Sequence, residues 1–101
     1  MSNNPIAIGD GRAVVAASGT AVPISTTPNY VTAVTVTALP TNTNLVWVGG
    51  PTVKAAVGQE RGMPLDASDS FYMEVADLNR IYIDAITNGE GVTYTYTDTV
   101  R

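Results

Sequence analysis

Histidine and cysteine are absent from the 101 residues, and lysine occurs once, at Lys54. Without an imidazole, the usual serine or cysteine triad has no base between nucleophile and carboxylate. Without imidazole or thiolate, zinc loses its ordinary ligands. Disulfide stapling is excluded too, which fits synthesis in a reducing cytoplasm. Charged residues make up only 14% of the chain, against roughly 25% in ordinary soluble domains. No apolar run approaches the ~18 residues of a membrane span, and Asn3, Asn4, Pro5 and Asp10 interrupt any secretion signal at the start. The expectation is a protein with no cofactor, no metal and no membrane contact.

The charge that is present is acidic, with a formal net charge of −4. An acidic chain repels phosphate backbones, and Arg12, Lys54, Arg61, Arg80 and Arg101 are scattered instead of forming a basic stripe. Nucleic acid is therefore not an expected partner. The length suits one domain. A monomer of this size buries roughly 64% of the surface its unfolded chain exposes, so contact with a second subunit would add useful stability.

What the chain does have is β-branched residues in short runs between turn residues. Tyr30 to Leu39 reads as a strand, with Val34, Val36 and Ala38 on one face and Thr35 and Thr37 on the other. Leu45 to Val48 is a continuous apolar strand ended by Gly49, Gly50 and Pro51. Val53 to Val57 is a weak strand. Phe71, Met73 and Val75 alternate with Tyr72 and Glu74. Leu78 to Asp84 and Val92 to Thr97 read as two strands, joined by a tight hairpin in which Asn88 and Gly89 take positive φ angles. No window carries apolar residues at helical spacing without a Gly, Pro or Thr break. The prediction is an all-β fold: an antiparallel β-sandwich or jelly-roll-like small barrel of seven to eight short strands. Residues 1–12 read as an extended N-terminal arm, and 13–101 as a single β-sandwich domain.

Groups of residues carry a family likeness. They are Leu39 to Thr43, Val46 to Gly50, Gly62 to Leu65, Asp77 to Ala85 and Asn88 to Val92, in that order. Over about Val31 to Tyr96 the chain resembles small β-sandwich structural proteins of tailed bacteriophages, most like capsid decoration (cement) proteins. The resemblance implies a virion component on the exterior of the capsid, made in the bacterial host cytoplasm. Its partners would be other copies of itself, as a trimer, and the major capsid protein. It supplies no functional residues to carry over one by one.

Candidate chemistry is sparse. Asp66 with Asp69, and Asp84 with Glu90, are the available carboxylate pairs, and a glycoside-cleaving pair must flank a cleft that a core of this size hardly accommodates. Asp66 and Asp69 are better explained as acceptors for turn N–H groups. The spacing of Asp66, Asp69 and Asp77 does not match an EF-hand loop. Lys54 lies in a Val-Lys-Ala-Ala context that looks like a strand edge, and Gly58 and Gly62 precede neither Lys-Ser nor Lys-Thr. The chain is accordingly expected not to be an enzyme.

Contact residues are the remaining candidates. If Val46 and Val48 face the core, alternation sends Leu45 and Trp47 to the opposite face. There they form a subunit interface, a stacking platform for sugars, or a part of the monomer covered from outside. Tyr72 and Tyr82 share those three readings. Ile6 and Ile8 in the arm have two readings: residues that pack onto a neighbour, or part of a partly disordered terminus. The function expected is capsid decoration through protein-protein contacts. The alternative is a carbohydrate- or receptor-binding β-sandwich module of a head fibre or tail.

Overall fold

Among the described residues there are eight strands, most of them short stretches rich in β-branched or aromatic residues between turn residues. They are β1 (Pro5–Val14), β2 (Val22–Pro23), β3 (Ala33–Ala38), β4 (Val46–Gly49), β5 (Met63–Leu65), β6 (Ser70–Met73), β7 (Tyr82–Ala85) and β8 (Gly91–Thr99). The computed structural model describes residues 5–74 and 77–99. Two four-stranded sheets stack, one in the order β1-β8-β3-β6 and the other β2-β7-β4-β5. The first strand pairs with the last, the second with the seventh, the third with the sixth and the fourth with the fifth, all antiparallel. The chain is thus one long hairpin, closed at its tip by β4 and β5, and rolled up so that its arms fall in both sheets. This is the strand arrangement of a jelly roll.

The core lies between the sheets and follows the period-two pattern. Val34, Val36 and Ala38 of β3, with Val92 and Tyr94 of β8 beside them in the same sheet, face Val46 and Val48 of β4 and Ile83 and Ala85 of β7. Val15, Ile24, Leu65, Leu78 and Ile81 close the ends. Each fully buried Val, Leu or Ile side chain among them contributes roughly 1.5–3 kcal/mol of transfer free energy.

Of the segment expected to be an arm, residues 5–12 are part of a sheet, and residues 1–4 lie outside the described residues. From Ala7 to Val14, β1 runs in unbroken register with β8, and a bulge at Ile6 separates this stretch from the Pro5–Thr99 pair. Its inward positions are Gly9, Gly11 and Ala13, opposite Tyr96, Tyr94 and Val92. A Cβ on Gly9 would strike the Tyr96 ring, and one on Gly11 the Tyr94 ring. The two tyrosines, stacked with centroids 6.3 Å apart, lie across the glycines and supply the apolar surface that β1 lacks. This aromatic cover of glycine pins an edge strand.

The hairpin expected around Asn88 and Gly89 is a corner between sheets. Leu78–Arg80 is a 3-10 turn capped by the Asp77 carboxylate, which accepts from the Asn79 N–H at 3.0 Å. Strand β7 begins only at Tyr82 and belongs to the other sheet from β8. Gly89 has φ of 86°, as a tight turn requires, whereas Asn88 is not at positive φ. Val15 explains the crossing: its N–H donates to the Glu90 carbonyl and its carbonyl accepts from the Gly89 N–H, so the chain leaving the turn is handed to β1.

Val53 to Val57 is not a strand. Its only ladder contact among the described residues is an isolated bridge from Lys54 to Arg61, and Val53 and Ala55 are buried. Val75 lies outside the described residues.

Candidate interaction face

The two outer faces of the sandwich differ. On the sheet containing β4 and β7, Asp84 stands beside Trp47 on the outward side, yet Asp84 is 0% exposed. Two segments cover it. Its Oδ1 accepts from the Gly19 N–H at 3.0 Å and from the Ala85 N–H at 2.9 Å, and its Oδ2 accepts from the Ala55 N–H at 2.9 Å. One buried carboxylate therefore anchors the loop after β1 and the loop after β4 onto this face. Such charge-assisted bonds offset the cost of burying the ion.

Among the described residues, no segment covers the outer face of the β1-β8-β3-β6 sheet in this way. Register sets its side chains in ranks: Ile8 and Thr97 beside Ala33; then Asp10, Thr95, Thr35 and Tyr72; then Arg12, Thr93, Thr37 and Ser70. The middle two strands supply five threonines to these ranks. Thr37 and Ser70 share a hydroxyl hydrogen bond of 2.8 Å, and the Thr93 hydroxyl donates to the Gly11 carbonyl at 3.1 Å. These β-branched residues interlock across strands and present methyl groups and hydroxyls instead of mobile charged chains. Ile8 is 76% exposed and Tyr72 59% exposed, at opposite sides of the sheet. Tyr72 donates to a Glu74 carboxylate oxygen at 3.2 Å, and lost hydration, this bond and the Glu74 charge together push its phenol pKa up.

The candidate contact residues are thus divided between faces. Ile8 and Tyr72 lie on the uncovered face, while Trp47 and Tyr82 lie on the loop-covered one, both half-buried. Leu45, also half-buried, precedes β4. The indole Nε1 of Trp47 is enclosed and has no acceptor among the described residues. It offers no outward donor to a sugar. Ile6 belongs to β1, but its side chain lies outside the described residues. The threonine ranks are the feature that sequence reading did not assemble. Thr35 and Thr37, and Thr93, Thr95 and Thr97, are visible separately as period-two repeats, and only the β3–β8 register joins them.

The carboxylates serve structure. Glu90 accepts from the Thr43 N–H, the Thr43 hydroxyl at 2.8 Å and the Asn44 N–H at 3.1 Å. Burial pushes its pKa up, and these bonds outweigh that effect, leaving it below the usual carboxylate value. Asp69 accepts from the Asp66 N–H at 3.1 Å, the turn role expected of it, whereas Asp66 joins the turn through its backbone carbonyl, which accepts from the Asp69 N–H. Among the described residues, no group of three or more His, Cys, Asp or Glu side chains is placed to hold a metal ion, and no helix is long and apolar enough to cross a membrane.

No protein-family model, curated protein or solved structure matches the chain.

Proposed function

We propose that this protein is a structural virion component, a capsid decoration protein that binds the outer surface of a phage head through the uncovered face of the β1-β8-β3-β6 sheet. The observation that carries the reading is the contrast between the two faces. One is sealed by the chain's own loops around Asp84. The other is a four-stranded, threonine-ranked surface with few charges, suited to close contact because little charge must be desolvated when it is covered. The phage resemblance supplies the identity of the surface it would meet.

The mechanism is mechanical. Contacts that exist only in the assembled shell add free energy to that state and not to its dissociated parts, so they raise the temperature at which the shell opens. The test is calorimetry of phage heads lacking the protein, with and without the purified chain. Saturable binding and a shell transition several degrees higher are expected. Heads whose transition is unmoved at saturating protein overturn the stabilising role.

A further inference from the structure

We infer that β1 is a self-complementary docking edge, along which two copies of this chain pair antiparallel about a two-fold axis at Gly11. The Val15 N–H bonds to the Glu90 carbonyl, and the Gly11 carbonyl receives the Thr93 hydroxyl. Alternation along the ladder then turns the backbone groups of Gly9, Gly11 and Ala13 towards β8. Those of Ile8, Asp10, Arg12 and Val14 point away from the sheet, where among the described residues β1 has no hydrogen-bonded neighbour strand. All four residues are exposed.

The other sheet edges are blunted. Strand β2 is two residues long and includes Pro23, β5 is three residues long with Pro64 at its centre, and β6 has four residues. Strand β1 has ten residues, and its bulge and proline lie at the far end, before Ala7. A long edge with unpaired N–H and C=O groups is a template for another strand, and charge selects which one. With the axis at Gly11, Asp10 faces the second copy's Arg12, and Arg12 faces the second copy's Asp10. Ile8 faces the second copy's Val14, and the reverse. These are hydrogen-bonded positions, so four residue pairs exchange roughly eight backbone hydrogen bonds. Sliding one strand by two residues sets Asp10 against Asp10 or Arg12 against Arg12. A slide of one residue mismatches the backbone groups.

Inward, the axis sets Gly11 against Gly11 and Gly9 against Ala13, small residues that admit a close approach under the tyrosine rings. The product is a continuous eight-stranded sheet with both threonine faces on the same side. This inference stands apart from the proposed shell binding, which single copies could also perform. It replaces the threefold symmetry implied by the phage resemblance with an isologous two-fold contact.

Sedimentation equilibrium on the wild-type chain, Asp10→Arg, Arg12→Asp and the double swap D10R/R12D tests it, with circular dichroism confirming that each folds. A wild-type dimer is expected. Each single reversal places like charges in both symmetric pairs and should raise the dissociation constant about tenfold or more, while the double swap should return it to within about threefold. A wild type that is monomeric at about 0.5 mM, or association indifferent to the single reversals, overturns the inference. So does weakening by the single reversals without rescue by the double swap. Heads bound by a monomeric wild type would leave the proposed function standing and remove only the pairing.

Discussion

At the residue scale, two buried carboxylates show how a chain poor in charge uses what it has. Asp84 and Glu90, which sequence reading could pair as an acid and a base, instead each collect loop N–H groups. Glu90 carries a consequence for pH. Its folded pKa lies below the usual 4.5, so its contribution to stability is complete above the unfolded-state value and is lost as pH falls through the lowered folded value. Urea unfolding measured from about pH 6 down to about pH 2 should show stability falling with acid in the wild type. In Glu90→Gln, which has one acceptor oxygen in place of two, the chain should be weaker at neutral pH and the acid-dependent loss smaller. An unchanged slope in the variant would show that Glu90 is not linked to folding.

At the scale of elements, legibility followed local pattern. Val34, Val36 and Ala38 alternate with threonines, Phe71 with Tyr72, and Val92 with Thr93, so β3, β6 and β8 were readable from period two alone. Strand β1 was not, because its inward side is Gly9, Gly11 and Ala13 and its apolar cover comes from Tyr94 and Tyr96, more than eighty residues later. The turn near Gly89 was recognisable as a turn, but sheet membership is decided by distant partners such as Val15. The Val53–Ala55 stretch looked like a strand because it is apolar, and it is apolar because it covers a sheet face.

Strand β1 also changes what truncation should do. Read as an arm, residues 1–11 could be deleted without harm to the fold. Read as a strand, their removal strips ladder bonds from β8 and uncovers Tyr94 and Tyr96. Deletion of 1–11 should cost about 2–4 kcal/mol in urea unfolding. A truncated chain as stable as the full one would return β1 to the status of an arm.

At the scale of the whole molecule, the rolled hairpin produces two unlike sides. The sequence contains every threonine of the exposed side and every residue of the cover, but not the register that ranks the first or the Asp84 bonds that fix the second. If the protein acts by touch, the uncovered side must be the one that touches. Placing a carboxylate at the middle of a buried contact leaves an uncompensated charge and costs several kcal/mol, while the same change on a free surface costs almost nothing. The decisive measurement is co-sedimentation with phage heads of three proteins of equal thermal stability: wild type, Thr95→Glu on the threonine face, and Val57→Glu on the cover loop, where Val57 is 84% exposed. Wild type and Val57→Glu should pellet with heads, and Thr95→Glu should lose at least about tenfold in affinity. Equal binding by Thr95→Glu and wild type, or loss confined to Val57→Glu, would contradict the account.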